Sequence, residues 1–253
     1  MDLGLKGKRA VVTGGASGLG RETAHYLVRD GARVLIADIN EANIAAVVNE
    51  LRQAGGDAHG VTADVRDYAA CKKMAVVAKE KLGGVDILVA AAGVSTSSEH
   101  FLDTEPNDWD LMLEVNIRGL MNTNRAIAPL IVESGSGAIV NIASEAGKVG
   151  ERRIVVYSAT KGAVISFSKA LALELGRNKI RVNAVCPGVT RSPMTARFGE
   201  PGSEFYEKAA KLYPMGRLGE PEDIAAMITF LVSEQAAWVT GQAISVSGGF
   251  GRS

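Results

Sequence analysis

Short runs of consecutive apolar residues, each followed by a stretch of helical length, constrain this chain more than any other feature. Arg9-Ala10-Val11-Val12-Thr13, Val34-Leu35-Ile36-Ala37, Ile87-Leu88-Val89-Ala90, Ala138-Ile139-Val140-Asn141-Ile142, Ile180-Arg181-Val182-Asn183-Ala184-Val185 and Ala243-Ile244-Ser245-Val246 read as strands. A strand that is apolar at adjacent positions is buried on both faces, which suits a parallel sheet covered by helices. The helical segments span about 18–30, 41–54, 67–82, 106–133, 156–176 and 221–233. Pro106 and Pro221 sit near first turns, and Gly31 and Gly176 just past helix ends. Strand–helix alternation from end to end predicts an α/β fold, one doubly wound domain over residues 1–253. The one long irregular stretch, about Pro187 to Gly219, carries Pro187, Pro193, Pro201 and Pro214. Such a stretch is either a functional loop over a site or a surface excursion.

Charge and cysteine usage remove several function classes. Lys+Arg and Asp+Glu are both 28, so no net field draws nucleic acid or an acidic membrane. Cys71 and Cys186 make no disulfide framework, and no CxxC or Cys/His cluster offers a metal site. The start, Met1-Asp2-Leu3-Gly4-Leu5-Lys6, lacks the charged and apolar regions of a signal peptide. No apolar run reaches the roughly 18 residues that span a bilayer. The expectation is a soluble, cytoplasmic protein acting on a small molecule.

Directly after the first strand comes Thr13-Gly14-Gly15-Ala16-Ser17-Gly18-Leu19-Gly20. Glycine is needed where backbone must approach a pyrophosphate, and the free N–H groups of the following helix point at its charge. In a chain with 29 glycines a spaced triplet alone says little; its place between the first strand and the first helix is the informative part. Asp38 ends the second strand, where a carboxylate accepts both ribose hydroxyls of adenosine and repels a 2′-phosphate. The alternative for Asp38 is an exposed helix cap. Ser17 rather than a basic residue precedes Gly18, so NAD is expected over NADP. Asp64, after a third strand, either accepts the adenine amino group or caps the helix that starts near Asp67.

Tyr157 and Lys161 stand at i and i+4, on one helical face. With five tyrosines, roughly a quarter of one such match arises by chance, and a second, Tyr68 with Lys72, is present. Context separates them. Tyr68 opens a polar helix, whereas Tyr157 opens an apolar one, and Ser144 ends a strand thirteen residues earlier. A free phenol has a pKa near 10, so its anion at pH 7 costs about 4 kcal/mol. An ammonium roughly 4 Å away returns about the same at an effective dielectric near 20. Tyr157 then serves as base for an alcohol or acid for a carbonyl, with Ser144 holding the substrate oxygen. Asn116, a poor mid-helix residue, either binds a water linking Lys161 to solvent or satisfies backbone groups in the core.

Together these residues resemble the short-chain dehydrogenase/reductase family over nearly the whole chain. The matches are TGxxxGxG at 13–20, Asp64, Ala92-Gly93, Asn116, Ser144, Tyr157 with Lys161, and Pro187-Gly188. The resemblance implies a Rossmann-type seven-stranded parallel sheet with helices on both faces, and hydride transfer at nicotinamide C4. It implies a catalytic set of Asn116, Ser144, Tyr157 and Lys161. Cofactor contacts would come from Gly14, Ser17, Gly18, Leu19, Gly20, Asp38, Asp64, Val65, Ala91, Ala92, Gly93, Tyr157, Lys161, Pro187, Gly188, Thr190 and Ser192. It also implies a homo-oligomer, a dimer or homotetramer, built on the helices near 106–133 and 156–176. Two departures stand out. The family reads Asn-Asn-Ala-Gly or Asn-Ala-Gly where this chain has Ala90-Ala91-Ala92-Gly93, losing an amide that ties neighbouring strands. After Pro187-Gly188 it expects an aliphatic residue and then Thr, where Thr190 and Ser192 now stand.

The expected activity is NAD-dependent interconversion of a secondary alcohol, alicyclic or hydroxyacyl, and its ketone. An NADPH-dependent carbonyl or 3-oxoacyl reductase is the alternative, and a non-catalytic dinucleotide sensor the alternative of another class. Arg152 and Arg153 offer a clamp for a carboxylate or coenzyme-A phosphate, or a solvated face. Met194, Phe198, Phe205, Tyr206, Leu212, Tyr213 and Met215 read as an apolar lid or as packing against a partner subunit. His25, His59 and His100 fit no triad, and Trp109 and Trp238 are expected in the core or an interface.

Overall fold

Ala10, Val11 and Val12 at adjacent positions give Arg9–Thr13, β1, no solvent-facing side, and the computed structural model places it inside a parallel sheet with a strand paired on each edge. The structure describes residues 2–96, 98–198 and 201–251. From β1 the chain passes through the glycine loop into α1 (Gly18–Arg29), then β2 (Arg33–Asp38), α2 (Glu41–Gln53), β3 (Ala58–Thr62), α3 (Tyr68–Leu82) and β4 (Ile87–Ala90). The second half comprises α4 (Pro106–Leu113), α5 (Leu120–Glu133), β5 (Gly137–Ile142), α6 (Glu145–Val149), α7 (Val155–Leu175), β6 (Ile180–Pro187), α8 (Glu204–Ala210), α9 (Pro221–Val232) and β7 (Ala243–Val246).

Among the described residues the seven strands lie in the order β3-β2-β1-β4-β5-β6-β7, all parallel. Val12, Val34, Ile36, Val89 and Val140 pack with α1, α2 and α9 on one face. Val11, Leu35, Leu88, Ile139 and Val182 pack with α3, α5 and α7 on the other. Each such side chain, taken fully out of water, contributes about 1.5–3 kcal/mol, which is why the alternation is so insistent. The winding reverses between β1 and β4, and a crevice opens there at the carboxyl ends of the strands.

The sequence expectations need correction at several places. β3 is absent from the apolar runs because it is an edge strand in which only Ala58 is buried, and His59 and Gly60 interrupt the pattern. The helix expected over 106–133 is two helices joined by a π-helical turn, Glu114–Gly119. Gly176 does not close α7 with a left-handed residue; at φ −57° it opens a short 3₁₀ turn, and Lys179 takes the left-handed conformation. The stretch 187–219 is largely ordered: it holds a 3₁₀ turn, Pro193–Phe198, and α8. Tyr206, Ala210, Tyr213 and Leu218 bury themselves as a small separate core, with Phe250 stacked on Tyr213. Tyr206 and Tyr213 therefore brace the loop from within, while Leu212 and Met215 are exposed. The side chains of Phe198 and Phe205 lie outside the described residues. Trp238 is 99% exposed rather than core, and Trp109 is half-buried against Phe101.

Candidate active site

The crevice is a cavity of about 550 Å³. Every residue assigned to the cofactor from sequence lines it, as do Ser144, Tyr157 and Lys161. The glycine loop is its floor. A side chain at Gly14 would put Cβ 2.8 Å from the backbone of Ala92, and one at Gly20 would sit 2.2 Å from the Gly14 carbonyl. The loop is thus closed to a Cβ at both Gly14 and Gly20. Ser17 takes extended backbone at the start of α1 without using its side chain as a cap, leaving first-turn N–H groups directed at the cavity.

At the far end, Asp38 is not the cap of α2; Asn40 fills that place. The Asp38 carboxylate instead accepts the N–H groups of Ala16 and Asn40, each at 3.2 Å, which fixes it beside the glycine loop. Asp64 does not cap α3 either, since Asp67 does. Both Asp64 oxygens are held by Arg66, through Nε at 3.0 and 2.9 Å and Nη2 at 2.6 Å, and Oδ1 also accepts the Arg66 N–H at 2.9 Å. The guanidinium holds the Asp64 carboxyl below the usual carboxylate range.

At the other end, Ser144 begins α6 and its Oγ accepts the Ala146 N–H at 3.2 Å. One helical turn into α7 from Tyr157, the Lys161 Nζ lies 5.7 Å from the Tyr157 ring centre and donates to the Ile142 carbonyl at 2.8 Å. Lys161 is 4% exposed, and burial pushes its ammonium down to about 8, against a smaller opposing pull from Cys186. Asn116 does not line the cavity but stands behind its wall. Its Oδ1 accepts the Val94 N–H and its Nδ2 donates to the Val94 carbonyl, both at 2.9 Å, and to Thr160 Oγ1 at 3.1 Å. It therefore satisfies backbone groups, the second of its two sequence readings, and it does so from within the π-helical turn. A Cβ at Gly93 would lie 3.3 Å from both Asn116 Oδ1 and Lys161 Nζ, so the amide and the amine face the same point.

The loop after Gly188 ties itself together, Thr190 Oγ1 donating to the Gly188 carbonyl and Thr195 Oγ1 to the Thr190 carbonyl. Sequence reasoning missed Arg66, Ser95, Leu111, Val115 and Ile142, all of which line the cavity. None carries a motif; Ile142 acts through a backbone carbonyl, which has no sequence signal. Arg153 borders an adjoining crevice with Phe101 and Trp109, at φ 69°, rather than the main cavity. His25 and His59 pair with Glu50 and Asp57, away from the cavity.

Two buried polar features flank the site. Glu145, 1% exposed, has neither carboxylate oxygen hydrogen-bonded among the described residues. Nearby Glu151 is pushed up by burial and by Glu145. Thr13 Oγ1 and Asn124 Oδ1 are also buried without partners among the described residues. Thr13, Ala90 and Asn141 are register neighbours on β1, β4 and β5, and Asn124 Nδ2 donates to Asn141 Oδ1. Ala90 therefore stands in register between Thr13 and the Asn141 that Asn124 bonds, where the family pattern has asparagine.

The donor set fits a dinucleotide: a backbone cradle for phosphates at one side, a fixed carboxylate for ribose, and a hydroxyl–amine pair at the reacting end. Among the described residues no group of three or more His, Cys, Asp or Glu is placed to hold a metal ion, and no helix is long and apolar enough to cross a membrane.

Residues 14–251 match a family model described as enoyl-(acyl carrier protein) reductase. The chain is 35% identical over 245 residues to the 3-oxoacyl-[acyl-carrier-protein] reductase FabG of Thermotoga maritima, covering 97% of this chain and 98% of that one. It is 37% identical over 243 residues to the 2-dehydro-3-deoxy-L-rhamnonate dehydrogenase (NAD(+)) of a Sphingomonas strain, covering 96% and 95%. A single-substitution variant of the actinorhodin polyketide ketoreductase, solved with NADPH, superposes with a TM-score of 0.92 at 36% identity, covering 97% and 98%.

Proposed function

The chain belongs to the short-chain dehydrogenase/reductase family, and from that premise we propose that it is an NAD-dependent dehydrogenase of a secondary alcohol. The observation that carries the reading is the convergence of Ser144, Tyr157 and Lys161 on the cavity floored by the glycine loop. A bound nicotinamide supplies the hydride acceptor. Ser144 holds the carbinol oxygen, and Tyr157 takes its proton as the C–H bond breaks. The Lys161 charge, buried in low dielectric, stabilises the phenolate form of Tyr157 that takes this proton and becomes a neutral phenol. Run backwards, the same groups reduce a ketone. Asn116 holds the Val94 turn against this cluster.

Asp38 supports NAD over NADP: its carboxylate is fixed beside the glycine loop, where its charge would repel a 2′-phosphate, and Ile39 rather than a cation follows it. NADPH-dependent ketone reduction is the second reading, favoured by the actinorhodin ketoreductase with NADPH and by the 3-oxoacyl reductase. The substrate end, with Val94, Leu111, Val115, Ile142 and Met194 among its lining, suits an apolar alicyclic or hydroxyacyl alcohol. Exposed Leu113, Met121, Val132, Val155 and Leu173 on and between the helices α4, α5 and α7 support assembly as a dimer or tetramer. A screen of secondary alcohols and 3-hydroxyacyl thioesters, with NAD and with NADP, tests the reading through the absorbance of the reduced ring. Turnover with NAD is expected; turnover with NADP alone would transfer the assignment to the second reading.

A further inference from the structure

We propose that Arg66 is a cofactor-positioning residue that sets selectivity for the base of the dinucleotide, acting through Asp64; this rests on the dinucleotide reading above. Among the described residues the charged groups lining the cavity are Asp38, Asp64, Arg66 and Lys161. Lys161 is at the reacting end. At the other end two carboxylates would face a cofactor whose diphosphate is itself anionic, and Arg66 is the charge that offsets them.

Its geometry does more than neutralise. The guanidinium grips both Asp64 oxygens, fork to fork, and so fixes the plane of the carboxylate at the cavity mouth. Three N–H groups, the Arg66 backbone N–H, Nε and Nη2, take three of the carboxylate's roughly four acceptor positions, so the gripped group still accepts one N–H from a base. The turn is pinned from behind, where Asn122 Nδ2 donates to the carbonyls of both Val65 and Arg66 at 3.0 Å. Without the Arg66 side chain the part-exposed Asp64 keeps only the backbone N–H of residue 66 on Oδ1, so the carboxylate plane is no longer fixed and meets an incoming amine at an entropic cost. A base with an exocyclic amine is matched by this arrangement. A base with a carbonyl there meets acceptor with acceptor.

The test is equilibrium binding by calorimetry of NAD and of its hypoxanthine analogue, in which a carbonyl replaces the amine, to the wild-type enzyme, Arg66→Ala and Arg66→Lys. The wild type is expected to bind NAD about tenfold more tightly than the analogue, the scale of one charge-assisted hydrogen bond. In Arg66→Ala that ratio should fall below about threefold, with Arg66→Lys between, because a lysine keeps the charge but not the fork. Thermal unfolding without ligand should be nearly unchanged, since the pair is at the surface. An unchanged ratio in Arg66→Ala overturns the proposal while leaving Asp64 as the partner of the base. A wild type indifferent to the two dinucleotides overturns it by removing Asp64 from that role. A wild type that binds neither dinucleotide would instead remove the cofactor reading itself.

Discussion

Lys161 should make the enzyme, free of cofactor, less stable than it need be. Its ammonium is 4% exposed and donates to the Ile142 carbonyl. Burial lowers its pKa from 10.5 to about 8, which corresponds to about 3 kcal/mol of unfavourable free energy at neutral pH, at 1.36 kcal/mol per tenfold change. The unfolded chain binds this proton more tightly than the folded one, so stability from this group rises as pH climbs from about 8 toward 10.5 and is at its lowest below 8. Lys161→Met removes the charge and leaves the carbonyl without its donor, a loss of about 1–3 kcal/mol. The variant should therefore match or exceed the wild type at pH 7 while losing alcohol oxidation. Urea unfolding of both proteins at pH 7 and pH 10 isolates the effect, because all other titrating groups are shared. The wild type should gain about 2 kcal/mol relative to the variant over that interval. A stability difference independent of pH, or a wild type that loses ground as pH rises, would refute the reasoning.

Two further substitutions address the cofactor and the sheet. Asp38→Ala should lower discrimination against NADP by at least about tenfold in kcat/KM, as a repulsive element is removed; undiminished discrimination would count against the ribose role of Asp38. Ala90→Ser should raise stability by about 1 kcal/mol, or about 2–4 °C in Tm, by giving Thr13 Oγ1 a partner; a lower Tm would show that the site has no room for it.

What sequence made legible follows from what its physics requires of side chains. Strands buried on both faces are largely apolar at adjacent positions, so β1, β2, β4, β5 and β6 announce themselves, as does the apolar edge strand β7; the edge strand β3, AHGVT, carries no such run. Gly14 and Gly20 are readable because a Cβ there collides with backbone. Tyr157 and Lys161 are readable because one helical turn brings them together. The π-helical turn at Glu114–Gly119 is not, because it depends on Asn116 reaching Val94, a contact set by how two elements pack. Arg66 escapes for a similar reason: an arginine two residues after an aspartate is ordinary until the fork geometry is visible. Trp238 shows how one residue type leaves two readings: its exposure on this chain removes the core and leaves the interface.

The decisive measurement is the rate of alcohol oxidation by Tyr157→Phe, with dinucleotide binding determined on the same preparation. Removing one hydroxyl should cut kcat by about 10²–10⁴-fold, the range for a positioned proton acceptor, and leave affinity for NAD within about threefold, since less than one ordinary hydrogen bond to the cofactor is at stake. Oxidation at the wild-type rate by the phenylalanine variant would contradict the assignment of Tyr157 as the group that moves the proton.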